Sequence, residues 1–168
     1  MAPEPIRVSY SAILDVVPKL FQEHKPDVVL HMGLDEGRTF FGIERSAPRT
    51  GYHQYPDLDR KVFTKADTKK LWGKSSEKLM TTLDRDDVLG RWQREFKKNS
   101  GVDVRVSDDV GDFVCGFIYY ASLVAMKDRR DVVFLHVPPL KSGKEIEKGV
   151  EVTEALIKAL AGSWLDGR

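Results

Sequence analysis

Two short, unbroken apolar runs constrain this chain more than any other feature. One is Val28-Val29-Leu30, entered from Asp27 and left at His31. The other is Val132-Val133-Phe134-Leu135, entered from Asp131 and left through His136-Val137-Pro138-Pro139. Neither alternates like a half-exposed strand, and neither is long enough for a buried helix. Such runs, bounded by turn residues, are strands buried on both faces. A sheet covered on both faces needs a layer of helices on each.

The intervening sequence supplies those layers. Ile13, Val16, Val17, Leu20 and Phe21 recur with the spacing of one helical face, although Pro18 inside the pattern is expected to kink or divide it. Lys25-Pro26 closes that helix. Thr39 to Glu44 reads as a strand ending in a carboxylate. Arg45 to Lys65 is rich in Pro, Gly, Asp and Tyr without periodicity, which predicts a long surface excursion. Leu71, Trp72, Leu79 and Met80 anchor short elements. A clearer helix covers Asp86 to Asn99, with Val88, Leu89, Trp92 and Phe96 on one side and Lys97-Lys98 near its end. A short strand at Val102 to Val106 leads into a helix from about Gly111, for which Asp108 or Asp109 is the expected N-cap. Glu145 to Leu160 carries Ile146, Val150, Thr153, Leu156, Ile157 and Leu160 on the face expected to cover the sheet. The resulting fold class is α/β: a single-domain three-layer α/β/α sandwich, spanning 1–168, around a mostly parallel sheet.

Composition excludes several functions. A net charge of +1, with bases and acids interspersed, lacks the concentrated basic face of a nucleic-acid binder. No apolar run approaches a bilayer span, and Met1-Ala2-Pro3-Glu4-Pro5 has no signal-peptide pattern, so the expected location is cytoplasmic. A single cysteine forms no internal disulfide. The four histidines have no metal-ligand spacing, and Gly33-Leu34-Asp35-Glu36-Gly37 has no phosphate-loop spacing, so neither a metal nor a cofactor is expected.

Cys115 is the one nucleophile at a helix start, where the positive end of the dipole favours a thiolate. His136 and Glu44 each end an apolar strand. Strand ends and helix starts on one edge of a doubly wound sheet converge, so these three residue types form a nucleophile, base and orienter set. On spacing alone, the alternative is a core cysteine, a histidine bonded to backbone and a surface glutamate.

Asp108-Asp109-Val110-Gly111-Asp112-Phe113-Val114-Cys115-Gly116-Phe117-Ile118-Tyr119-Tyr120, with Phe134-Leu135-His136-Val137-Pro138, resembles the nucleophile and histidine motifs of the pyroglutamyl peptidase I (pyrrolidone-carboxylate peptidase) family of cysteine peptidases. His31-Met32-Gly33-Leu34 through Gly37-Arg38, then Ile43-Glu44-Arg45-Ser46-Ala47, resembles that family's glycine-rich loop and glutamate segment. The resemblance implies the same α/β/α fold, no cofactor, and removal of N-terminal pyroglutamate from peptides by thiol attack. It implies Cys115 as nucleophile, His136 as base and then acid, and Glu44 as orienter. Gly33, Leu34, Arg38 and Arg45 are the implied substrate-side residues, the two arginines equally suited to holding the Gly33 loop or pairing with an acid.

The chain departs from the family pattern at its amino-terminal side. Family members begin with an apolar strand and a Thr-Gly-Phe-Gly-Pro-Phe-like loop that walls the lactam, and no such segment is present in these residues. The expectation is an exposed sheet edge and self-association through it. The alternative function is a catalytically impaired or inactive homologue acting as a binding or interaction domain.

Overall fold

The computed structural model describes residues 4–96, 101–127 and 129–167. Lys97, Lys98, Asn99 and Ser100, expected at the end of one helix, lie outside the described residues, as does the Met1-Ala2-Pro3 start.

A four-stranded sheet forms the centre. Its strands are β1 (Val29–Leu34), β2 (Phe41–Glu44), β5 (Val104–Ser107) and β6 (Val132–Val137), in the order β1-β6-β2-β5. β1 runs parallel to β6 and β2 parallel to β5, while β2 and β6 are antiparallel. The two apolar runs of the sequence are thus neighbours. β3 (Ser46–Pro48) and β4 (Lys78–Met80) form a separate antiparallel pair.

Alternation along β6 defines the two outer layers. Val132 and Phe134 face a cluster built on α1 (Tyr10–His24), α2 (Lys65–Trp72) and α4 (Val114–Ala125). Val133 and Leu135 face α3 (Arg85–Arg94) and α5 (Gly143–Asp166). This is the three-layer sandwich expected from a strand apolar on both faces. On the second face Trp92 is fully buried, and its Nε1–H donates to the Val152 carbonyl at 2.9 Å, tying α3 to α5.

Several local expectations change under tertiary packing. α1 continues through Pro18 as one helix and stops at Lys25, which takes the left-handed conformation. The 45–65 stretch is no simple surface excursion. Ala47, Tyr52 and Phe63 are buried beside Trp72 and Phe117, and the buried Asp57 carboxylate accepts from the backbone N–H groups of Tyr10, Asp59 and Lys61. Aromatic side chains without period fill a core as well as a periodic stripe does, which is why pattern reading missed them. The N-cap of α4 is Phe113, five residues after Asp108 and four after Asp109; Asp109 instead accepts from the Gly111 N–H at 3.0 Å. In α5 the buried stripe is Gly149, Val152, Ala155, Leu156, Ala159, Leu160 and Ser163, leaving Ile146, Val150 and Ile157 about half exposed. Glycine gives this face its close contacts, since a Cβ on Gly149 would strike Leu140 and one on Gly162 would strike Arg91 of α3.

β1 is an edge strand, and Met32 and Leu34 on it are exposed. Among the described residues, no helix is long and apolar enough to cross a membrane.

Candidate active site

The site is organised by one row across the sheet. His136 on β6 lies directly between Gly33 on β1 and Gly42 on β2. Side chains two residues apart on a strand share a face, so His136 points the same way as Phe134, toward α4. Glu44, two residues beyond Gly42, is on that face too. The Nδ1–H of His136 donates to Glu44 Oε1 at 2.7 Å, and both residues are buried.

This convergence differs from the expected one. Because β2 runs antiparallel to β6, their two C-terminal ends point in opposite directions. Glu44 and His136 meet as diagonal neighbours on a sheet face, a reach of the kind long side chains span between strands.

Both flanking glycines are required by close approach. A Cβ on Gly33 would lie 3.0 Å from Cys115 Sγ and 2.8 Å from the tip of the Phe134 ring. The thiol therefore rests over the bare backbone of Gly33, next to the strand position of His136. A Cβ on Gly42 would lie 2.6 Å from a terminal nitrogen of Arg38. Gly33→Ala is expected to push the thiol aside and lower kcat/KM on any Cys115-dependent substrate about ten- to a hundredfold, since misplacement near 1 Å costs that much. Steady-state kinetics within twofold of wild type would refute this placement.

The helix that carries Cys115 is delivered by a tight turn. Gly111 has a φ of 74°, and a Cβ on Gly116 would collide with the Gly111 carbonyl oxygen at 2.3 Å. Phe113 offers no side-chain cap, so the first-turn N–H groups at Cys115 and Gly116 have no helical acceptor. The dipole does not lower the thiol as its position suggested. Burial, reinforced by Asp35 and Glu44 and opposed by Arg38, pushes Cys115 up to about 11. The resting side chain at neutral pH is a thiol.

The remaining sequence candidates divide. Arg38 joins the site, in ion pairs with Asp35 and Glu44. Leu34 follows Gly33 on the strand, so its exposed side chain projects from the opposite sheet face. Arg45 likewise turns away from Glu44 and pairs with Asp108 at the surface, with its carbonyl accepting from Arg85. Sequence reasoning missed Asp35, Gly42 and Phe134. The glycine in a short strand was the available signal for Gly42, because strand glycines mark close approach. Among the described residues no group of His, Cys, Asp and Glu is arranged to hold a metal ion.

Behind the site, His31 lies beside Phe134 on β1 and its Nε2 is 2.8 Å from the fully buried Ser122 Oγ. Desolvation lowers this imidazole to about 4. A histidine whose folded value lies below its unfolded value of about 6.5 stabilises fully above that pH, and the contribution fades as pH falls through 4. Unfolding free energy is therefore expected to drop by up to about 3 kcal/mol across that window. Urea titrations at pH 7 and 4.5 test this: His31→Gln should flatten the difference, and an unchanged slope would exclude His31 as its source.

Comparison with known proteins follows the same lines. The family model for pyroglutamyl peptidase matches residues 2–156. Pyroglutamyl-peptidase 1 of Rattus norvegicus is 27% identical over 157 residues, covering 94% of this chain and 71% of the relative. The Homo sapiens pyroglutamyl-peptidase 1 is 30% identical over 135 residues, covering 80% of this chain and 60% of the relative. Among solved structures, a mutant pyrrolidone carboxyl peptidase from Pyrococcus furiosus superposes with a TM-score of 0.73 at 20% identity, covering 96% of this chain and 80% of that one. With a match spanning nearly its whole length, and the fold of those structures, the chain belongs to the pyroglutamyl peptidase family.

Proposed function

We propose that this protein is a cysteine-type omega-exopeptidase that removes N-terminal pyroglutamate from peptides, with Cys115, His136 and Glu44 as its catalytic residues. The observation that carries the reading is the buried Glu44–His136 pair beside a thiol seated on Gly33, in a chain of this family. The carbonyl attacked is the one outside the ring, in the amide that follows the lactam, so the acyl group passed to the thiol is a pyroglutamyl group with its ring intact.

Each residue has a chemical task. Because the resting thiol is neutral, His136 Nε2 takes the proton as the S–C bond forms, and Glu44 stabilises the resulting imidazolium through Nδ1. Charge moves to the carbonyl oxygen, for which the uncapped N–H groups of the first α4 turn are suitable donors. The imidazolium then protonates the leaving amine as the C–N bond breaks. Water, deprotonated by His136, hydrolyses the thioester and returns the thiol. Gly33 supplies clearance, and the exposed Arg45 and Leu34 would act only at the periphery. A reducing compartment such as the cytoplasm suits a chain whose one cysteine does this chemistry.

The test is turnover of a pyroglutamyl–fluorophore amide by the purified chain, beside the prolyl and glutamyl amides. Release from the pyroglutamyl compound alone is expected. A chain that leaves all three intact at micromolar enzyme overnight is no such peptidase. If Cys115 nevertheless reacts with iodoacetamide in that chain, the impaired-homologue reading takes its place.

A further inference from the structure

We propose that Arg38 is a positioning residue, whose guanidinium joins the three segments that carry the site and fixes Glu44 against His136. Each nitrogen goes to a different segment. Nε reaches Asp35 Oδ2 at 2.6 Å, on the turn that follows β1. One terminal nitrogen lies 2.6 Å from Glu44 Oε1, the oxygen that accepts from His136, as an ion pair without hydrogen-bond geometry. The other donates to the Asp109 carbonyl, in the loop that runs from β5 to the Cys115 helix.

Several features show that this placement is built in. The Arg38 side chain is only 10% exposed and that of Glu44 is fully buried. Its path is cleared by Gly42, where any Cβ would strike the guanidinium, and Phe40 lies against it at 5.4 Å from the ring centroid. The turn is closed on itself as well: Asp35 accepts from the Gly37 N–H at 3.0 Å, and its own N–H donates to the Val137 carbonyl beside His136. The planar fork donates to Asp35 and Asp109 in fixed directions and thereby holds its charge against Glu44; the point charge of a lysine cannot do both.

The arrangement also sets the charge around the thiol. Cys115 is faced by Asp35 from the turn, Glu44 from β2, His136 from β6 and Arg38. Two of these are carboxylates that oppose ionisation, and Arg38 is the permanent cation that counters them. Removing it leaves Glu44 buried without that partner and the thiol harder to ionise. Arg38 touches neither the reacting sulfur nor, in this arrangement, a substrate atom, so its loss should act on kcat more than on KM.

Arg38→Met and Arg38→Lys are compared with wild type by circular dichroism, by kinetics on the pyroglutamyl amide, and by iodoacetamide alkylation of Cys115 from pH 6 to 10. For Arg38→Met we expect kcat to fall about a hundredfold with KM within threefold, and alkylation at pH 8 to slow about five- to tenfold. Arg38→Lys should restore the alkylation rate to within twofold, through its charge, while kcat stays at least fivefold low for want of the fork. The kinetic half rests on the peptidase reading; the alkylation half does not. Slowed alkylation in the methionine variant of a wild type without turnover supports the positioning role and counts against the peptidase reading alone. Normal wild-type turnover with a lysine variant of unchanged kcat overturns the proposal, whether or not the methionine variant folds. A folded methionine variant that alkylates at the wild-type rate overturns it too.

Discussion

Cys115→Ala is expected to abolish release of the fluorophore from a pyroglutamyl amide, with a loss of at least about a thousandfold, while the protein remains folded. The two halves of that expectation have different causes. The nucleophile forms the covalent intermediate, and without it only the donors and the bound geometry remain to help water attack. Stability should change little because the side chain is small, only partly buried, and among the described residues makes no hydrogen bond that an alanine would leave unpaired. Truncation removes one sulfur from the aromatic-lined cluster against which Cys115 packs, a loss of about 1 kcal/mol. Thermal unfolding and turnover measured on one sample separate these effects. Residual activity above a tenth of wild type would mean that another group performs the chemistry. Cys115→Ser is the sharper variant, since it keeps the shape and exchanges only the atom that attacks.

Glu44 should show the opposite balance, with activity and stability falling together. Its side chain is wholly enclosed and pairs with both His136 and Arg38. Deleting one member of a buried charged set typically costs about 3–5 kcal/mol, because the partners stay behind without compensation. For Glu44→Ala the expected outcome is a destabilisation of that order, read from urea midpoints, and a fall in kcat/KM of about a thousandfold. Glu44→Gln distinguishes the contributions. Its amide oxygen still accepts from the Nδ1–H of His136, so most of the packing survives, but it carries no charge to stabilise an imidazolium. That variant should recover much of the stability while its rate stays about a hundredfold down. A folded glutamine variant with more than a tenth of wild-type kcat/KM would remove Glu44 from the machinery. The wild-type balance is uneven in one further respect: His136 donates to Oε1, Arg38 faces that same oxygen only as an ion pair, and among the described residues Oε2 is buried without a hydrogen bond. The carboxylate is thus held by charge rather than by a full set of donors, which makes it sensitive to loss of either neighbour.

Arg91 holds a similar set of charges in a different setting. Arg91 also pairs with two carboxylates, Asp87 and Asp166, but at the surface of α3 and α5. Ion pairs exposed in this way contribute about 0–1 kcal/mol, since water and salt compete for the same charges. The Arg38 set is shielded from that competition and adjoins the thiol. Depth, not the number of partners, makes one arrangement consequential for chemistry.

Elements that depend on local pattern were legible in the string of residues. Val132 to Leu135 reads as a strand covered on both faces and the stripe from Ile13 to Phe21 as an amphipathic helix, and both stand in the structure, the helix running on through Pro18. The sequence also put Cys115, His136 and Glu44 forward, because chemistry-bearing residues at element ends are visible in a string of letters. Tertiary structure decided how they meet. Glu44 and His136 are 92 residues apart, and nothing local encodes that β2 would lie antiparallel to β6 with Gly42 opposite His136. The burial of Tyr52 and Phe63 was equally invisible, since aromatic residues without period gain their place from distant partners. So was the state of the thiol. Its position at a helix start is a local fact that favours ionisation, but enclosure by Asp35, Glu44 and the sheet surface outweighs the dipole and raises it. Local sequence carries period, caps and residue type; register between remote strands and the dielectric around a buried atom exist only once the layers have packed.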